Sequence, residues 1–150
     1  MVEATEKIKH FCAYQERCHK EVKQKLQSFG LSDEELNVII VELIEENFLN
    51  EERYAIQFVR GKFKIKHWGR NKIKYELKSK QISPINITKA LVVIDEDDYI
   101  TQIEKEFNSY LNKLKSGSQL QKKYKTQNHL LRKGFELNYI IDLFKTKGIK

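Results

Sequence analysis

The stretch YAIQFVRGKFKIKHWGRNKIKYELKSKQISPINITKAL, residues 54–91, decides the fold. Its apolar residues recur every three or four positions, which is the period of an amphipathic helix. A first helix is predicted to end at Trp68-Gly69, and a second carries Ile73 and Leu77 on its inner face. A third is predicted to begin at Ser83-Pro84, because Ser is a favoured N-cap and Pro fits the first helical position. The stretch therefore predicts three successive helices.

Helical patterns continue on both sides of this stretch. The string Ser32-Asp33-Glu34-Glu35 is a capping box, and the acidic run 95–98 suits the start of a long helix. Ile44, Leu120 and Tyr124 are predicted to face inward on these outer helices. A single Pro and six Gly favour long helices with few tight turns, and no sustained two-residue alternation indicates a strand. The sequence predicts an all-α protein.

The helical pattern also repeats along the chain. Five positions recur in fixed register in three copies, which are separated by 51 residues and then by 53. The copies are Val22, Leu26, Leu31, Leu36 and Ile40; Ile73, Leu77, Ile82, Ile87 and Leu91; and Thr126, Leu130, Phe135, Ile140 and Phe144. A single three-helix unit cannot bury its apolar face alone, so adjacent units should stack. We expect three tandem three-helix repeats, residues 1–49, 50–94 and 95–150, stacked into an elongated, curved rod.

Charge is distributed unevenly over the chain, whose formal net charge is +7. Residues 60–80 contain nine Lys or Arg and one acid, whereas residues 31–58 contain eight acids and one Arg. From residue 113 onward there are ten bases and two acids. A concentrated basic block attracts nucleic acid or an acidic protein groove, although a solvated lysine-rich face has the same composition.

Several kinds of site have no pattern in the sequence. Cys12 and Cys18 are predicted to lie on different helical faces, too far apart for a disulfide, and the four His are scattered. No Gly-rich phosphate loop, catalytic-triad spacing or pair of inward carboxylates occurs. There is no signal peptide and no apolar run of membrane-spanning length. We expect a cytoplasmic protein without metal, cofactor or enzymatic activity.

Five strings along the chain resemble the RecX family. They are YQER at 14–17, EVKQKL at 21–26, NFLNEERYA at 47–55, GRNKIKYEL at 69–77 followed by KQI at 80–82, and LLRKGF at 130–135. Asn47 and Gln81 stand where the family usually has Gly. The resemblance covers nearly the whole chain and rests on the order of the strings rather than on any one of them.

RecX proteins regulate the bacterial recombinase RecA, and the resemblance implies the same partner here. It implies binding to the RecA filament on single-stranded DNA, within the filament groove, with suppression of ATPase, strand-exchange and coprotease activities. A role in homologous recombination, DNA repair and the SOS response follows from this resemblance. We further expect a monomer with weak direct DNA binding and no membrane association.

A second hypothesis is that the chain binds DNA directly through the helix–turn–helix of each repeat. Such a protein places base-reading side chains early in a recognition helix. The corresponding positions, 33–35 and 84–86, are largely acidic or apolar. Their composition weighs against this hypothesis without removing it.

Fifteen basic residues and one aromatic residue are the candidates for contact with RecA or DNA. They are Arg17, Lys20, Arg53, Arg60, Lys62, Lys64, Lys66, Trp68, Arg70, Lys72, Lys74, Lys122, Lys123, Lys125, Arg132 and Lys133. Trp68 either stacks on a partner or closes the core at a helix end, and the core is favoured. Arg53 is either a surface contact or the ion-pair partner of a neighbouring acid in its own helix, and Tyr54 faces the core.

Overall fold

The fold is entirely helical over the part of the chain that the structure describes. The computed structural model describes residues 1–149, which contain nine α-helices and no strand. The helices are α1 Val2–Tyr14, α2 His19–Ser28, α3 Asp33–Glu45, α4 Glu51–Lys64, α5 Arg70–Ser79, α6 Pro84–Leu91, α7 Glu96–Lys113, α8 Gln119–Arg132 and α9 Leu137–Thr146. They follow one another as three sets of three. The predicted all-α class and helical repeat are confirmed.

The repeat is visible both in burial and in the turns. Of the fifteen register positions, twelve are buried and the other three are partly exposed. The turn between the second and third helix of each set has one left-handed residue: Gly30 (φ 79°), Gln81 (φ 63°) and Gly134 (φ 98°). Gln81 adopts this conformation without the freedom of Gly, at a cost of about 1 kcal/mol. The same turn geometry is therefore kept even where the residue is unfavourable.

Three predicted inward positions are wrong. Ile44, Leu120 and Tyr124 are all exposed. Ile44 follows the buried Leu43 directly, and one helical step turns its side chain about 100° away from the core. On α8 the buried face is set by Thr126 and Leu130, and the first turns of the helix present their apolar residues elsewhere.

Helix α4 ends at Lys64 rather than at the predicted Trp68-Gly69. After this end, the Trp68 N–H donates a hydrogen bond to the Lys62 carbonyl oxygen (3.0 Å). His67 is left-handed, with φ 58°. Residues 65–69 therefore form a loop that leads into α5.

By internal contacts the chain divides into two compact units. The first comprises Met1–Phe58 and Leu77–Ala90, and the second comprises Val59–Glu76 and the chain from Leu91 onward. The division cuts α4 and α5, so it does not follow the repeat boundaries proposed above. Those boundaries stay a prediction.

The first unit has a core between α1, α2 and α3. Its fully buried members include Ile8, Val22, Leu26, Leu36 and Leu43. The start of α3 is capped as predicted, because the Ser32 hydroxyl accepts from the Glu35 N–H and the Glu35 carboxylate accepts from the Ser32 N–H. The local capping signal in the sequence was therefore sufficient to place this helix.

A second cap in the first unit is supplied by a distant residue. One carboxylate oxygen of Glu51 accepts hydrogen bonds from the Ser83 N–H (2.8 Å), the Ser83 hydroxyl (2.7 Å) and the Asn86 amide (2.9 Å). Burial alone would raise the pKa of Glu51, but these hydrogen bonds outweigh it and lower the pKa. Glu51, at the start of α4, thereby stabilises the start of α6.

In the second unit, two turns approach each other backbone to backbone at Gly69 and Gly134. The Gly69 N–H donates to the Lys133 carbonyl oxygen (2.7 Å), and the Asn71 N–H donates to the Gly134 carbonyl oxygen (2.9 Å). A Cβ atom on Gly69 would lie under 3.0 Å from the backbone of Gly134. This approach, the Gly69–Gly134 contact, therefore requires glycine and holds the 65–69 loop against the α8–α9 turn.

We expect Gly69→Ala to lower the free energy of unfolding by about 2–3 kcal/mol, because the new methyl group meets backbone that cannot move aside. Urea denaturation measures this change. Gly61→Ala is the matched control: Gly61 lies within α4, and no atom lies within 4 Å of its missing Cβ. That substitution should raise the stability by about 0.5–1 kcal/mol. Equal effects of the two substitutions would contradict the contact.

Candidate interaction surface

A tryptophan between two lysines lies at the centre of the candidate surface. Trp68 is partly exposed, and the ammonium groups of Lys62 and Lys72 lie 5.0 Å and 4.4 Å from the centroid of its ring. A cation over an indole face is attracted by the quadrupole of the ring. Trp68 is partly exposed rather than fully buried, and its role as a partner contact or as the closure of the core stays a prediction.

The basic block from residue 113 onward contributes to the same place. The Lys133 ammonium donates a hydrogen bond to the Lys66 carbonyl oxygen (2.8 Å), beside the Gly69–Gly134 contact. We define the Trp68 surface as Lys62, Lys66, Trp68, Lys72 and Lys133. Two basic blocks that are far apart in the sequence therefore meet within the second unit.

At the start of α5, the first two backbone N–H groups are already bound within the protein. Helix N-termini bind anions through N–H groups that have no partner in the protein. Here the Arg70 N–H donates to the Tyr99 hydroxyl (2.9 Å), and the Asn71 N–H donates to the Gly134 carbonyl oxygen. An anionic partner at this surface would be attracted by lysine ammonium groups.

Arg70 belongs to a polar network that joins α5, α7 and α9. Its guanidinium donates to the Glu96 carboxylate (2.8 Å), to the Tyr139 hydroxyl (3.1 Å) and to the Glu136 carboxylate (3.3 Å). The guanidinium carbon lies 3.9 Å from the centroid of the Tyr99 ring. The Tyr99 hydroxyl in turn donates to Glu136, and the Tyr139 hydroxyl donates to Glu96. All four partners of Arg70 therefore hold it in place.

The ionisation of this network favours its paired state. Burial alone would lower the pKa of Arg70, but the hydrogen bonds to Glu96 and Tyr139 outweigh it and raise the pKa. Hydrogen bonds from Tyr139 and Arg70 lower the pKa of Glu96. Both groups are therefore charged at neutral pH. Arg70, a candidate contact from the sequence, is held by these partners within the protein.

Known proteins are similar to this chain in both sequence and fold. The family model "RecX, second three-helix domain" matches residues 50–91. A regulatory protein RecX of Clostridium botulinum (strain Alaska E43) is 34% identical over 137 residues, which cover 86% of this chain and 61% of the relative. The crystal structure of RecX from Lactobacillus salivarius superposes with a TM-score of 0.83 at 25% identity, and the match covers 97% of each chain. These matches support the RecX family for this chain.

Some RecX relatives are longer than this chain. A regulatory protein RecX of Oceanobacillus iheyensis is 28% identical over 131 residues, which are 87% of this chain but 48% of the relative. The chain thus spans about half the length of that relative. A second crystal structure, of a regulatory protein RecX, has a TM-score of 0.88 at 20% identity and shows the same fold.

Within the string at 47–55, the side chain of Arg53 binds the turn that precedes its own helix. The Arg53 guanidinium pairs with the Glu16 carboxylate (2.7 Å) and donates to the side-chain and backbone oxygens of Asn47 (both 3.1 Å). Asn47 is left-handed, with φ 63°, a conformation that Gly adopts more readily than other residues. Of the two alternatives for Arg53, an ion pair is present, but its partner Glu16 lies between α1 and α2 rather than in α4.

Two further candidates in the first unit also have partners within the protein. The Arg17 guanidinium lies 3.7 Å from the centroid of the Phe11 ring and donates to the Phe11 carbonyl oxygen (3.0 Å). The Lys20 ammonium donates to the Ser79 carbonyl oxygen (3.1 Å). The candidates that are exposed are Arg60, Lys64, Lys66, Lys74, Lys125 and Arg132. Lys122 and Lys123 are partly exposed and line a groove of about 500 Å³ with Phe144 as part of its wall.

The described residues also bear on membrane and metal sites. Between residues 1 and 149, no helix is both long enough and apolar enough to cross a membrane. Over the same residues, no three His, Cys, Asp or Glu side chains are grouped so that they could hold a metal ion. Cys12 and Cys18 are free, and burial raises the pKa of both thiols.

The acidic and aromatic partners of Arg70 were missed by sequence reasoning. Glu96, Glu136 and Tyr139 lie 26, 66 and 69 residues from Arg70 along the chain. No local sequence pattern links residues at such separations. Taken singly, each of the three has the character of an ordinary surface residue. The repeat register offers no signal either, because none of them occupies a register position.

Replacing Arg70 by Met should lower the free energy of unfolding by about 2–3 kcal/mol, because it removes several charge-assisted hydrogen bonds and leaves Glu136 partly buried without its cation. Thermal or urea unfolding measures the loss. Arg60→Met is the matched control, since Arg60 is exposed on α4, and should change stability by less than about 0.5 kcal/mol. A wild-type unfolding curve for Arg70→Met would disprove a structural role.

Proposed function

We propose that this chain regulates the RecA recombinase by binding the RecA filament on single-stranded DNA. In this proposal it lies in the filament groove in the cytoplasm and suppresses the ATPase, strand-exchange and coprotease activities. The observation that carries the proposal is the similarity of the chain, in sequence and fold, to proteins named regulatory protein RecX. Because the chain spans only part of several of these relatives, its activity has to be measured on the chain itself.

The Trp68 surface supports this proposal as a contact for an anionic partner. Trp68 is partly exposed, the ammonium groups of Lys62 and Lys72 lie over its ring, and the Lys133 ammonium lies beside Lys66. Cations steer an acidic partner towards the protein, and an aromatic ring supplies contact area at low entropic cost. We therefore propose the Trp68 surface, with the exposed Lys64 and Lys74, as the basic contact with the filament.

The proposal is tested by the single-stranded-DNA-dependent ATPase rate of the cognate RecA, titrated with the chain well below one copy per recombinase. A steep loss of rate is expected, because a bound regulator that blocks filament growth or promotes disassembly affects many subunits. An unchanged rate at stoichiometric excess, together with binding to free DNA, would refute the regulator and favour the direct DNA-binding hypothesis.

Charge reversal at the Trp68 surface should weaken the inhibition. For Lys62→Glu/Lys72→Glu, we expect at least about tenfold more protein to be needed for half-maximal ATPase inhibition, since two attractive charges become repulsive. The titration above measures this shift. The control, Lys105→Glu/Lys113→Glu, makes the same change of charge at exposed positions of α7 and should leave the midpoint nearly unchanged. If both pairs shift the midpoint equally, net charge rather than the Trp68 surface is responsible.

A further inference from the structure

The outer side of α3 has a stripe of residues directly opposite its buried face. Glu34, Val38, Val41 and Glu45 follow one another at intervals of four, three and four, which places them on one line along a helix. Val38 and Val41 are 61% and 52% exposed, and both glutamates are exposed. We call this line the α3 stripe: two exposed apolar residues with a carboxylate at each end.

The repeat provides an internal comparison for the α3 stripe. At the register position of Val38, the second and third copies have Lys89 and Asp142, and both are exposed. At the position of Val41 they have Val92 and Lys145. In the third copy, α9 therefore forms with a charged residue at both positions, whereas the second copy has the exposed Val92 directly after the end of α6. The pair of valines on α3 is not needed for folding, and exposing it to water brings no stability.

The carboxylates around the stripe also exceed what the helix requires. Asp33 and Glu34 lie in the first turn of α3, where acidic residues favourably oppose the helix dipole. Glu45 lies in the last turn, where a carboxylate is unfavourable and where α3 has no basic residue. Lys9 pairs with Glu46 (2.8 Å) and lies 3.9 Å from Glu42, which compensates those two acids. The acidic end beside Val41 has no explanation in local helix stability.

We propose that the α3 stripe is a protein-docking face for a partner surface that has an apolar centre and Lys or Arg at its edges. This inference rests on the proposed function, in which the partner is the RecA filament. It assigns the α3 stripe to the protein of the filament and leaves the Trp68 surface for its acidic groups, including DNA phosphates.

Charge complementarity excludes the DNA of the filament as the occupant of this face. The DNA backbone carries a regular series of negative charges, and the five acids of α3, with no basic residue in the helix, repel it. Two exposed valines also provide no hydrogen-bond donor for a phosphate. A basic protein surface gains from both features, since apolar contact supplies affinity and the flanking carboxylates supply orientation.

The test uses the full chain with Val38→Gln/Val41→Gln, which removes the apolar centre, keeps the charge and places good helix formers on α3. Ile85→Gln/Val92→Gln is the matched control, because these residues are 64% and 77% exposed in the second copy. A dye at the N-terminus reports binding to RecA filaments on single-stranded DNA by fluorescence anisotropy. Binding to the same DNA without RecA is measured in parallel, and circular dichroism reports folding.

For Val38→Gln/Val41→Gln we expect about tenfold weaker binding to the filament, with unchanged binding to DNA alone and an unchanged melting temperature. The control should bind like the wild type. Filament binding equal to that of the wild type would overturn the docking face while the regulator function stands. Weaker binding to DNA alone by the same factor would identify nucleic acid as the occupant and overturn the proposal.

Two further outcomes would also decide against it. A wild-type chain that does not bind the filament at all would refute the proposed function, and this docking face with it. Sedimentation equilibrium of the wild type should show a monomer. Self-association that Val38→Gln/Val41→Gln abolishes would identify a second copy of the chain as the occupant instead.

Discussion

The candidate surface depends on the contact between the backbones of Gly69 and Gly134. Two hydrogen bonds cross this contact, and neither glycine can carry a side chain without meeting the other turn or Lys72. It fixes the loop that presents Trp68 and places Lys133 beside Lys66. Because a close approach of two backbones leaves little room for adjustment, the contact fixes the 65–69 loop and the α8–α9 turn relative to each other.

The repeat explains why these turns are available. Each set of three helices has a left-handed residue between its second and third helix, and in the third set this residue is Gly134. In the second set Gln81 adopts the same conformation, so the tertiary fold imposes the turn on a residue that does not favour it. The same turn geometry thus recurs in every copy, and in the third copy it also forms the Gly69–Gly134 contact.

The two described units carry surfaces of opposite character. The second unit presents lysines around a partly exposed tryptophan, whereas α3 in the first unit presents carboxylates around two exposed valines. Many arginines that looked like contacts from the sequence are held by carboxylates, carbonyl groups or aromatic rings within the protein. Arg70 and Arg53 are examples, because each one joins elements that are distant along the chain.

Periodicity and capping by themselves determined the helices, their order and the register of the repeat, because these depend on interactions between residues three to five positions apart. The family strings added the identity of the family. Only the tertiary structure decided that α4 stops at Lys64, that Trp68 lies between two lysines, and that Arg70 pairs with Glu96 and Glu136. These features arise from contacts between segments far apart in the chain, and amphipathic periodicity gives the direction of a side chain but not the neighbour that it will meet.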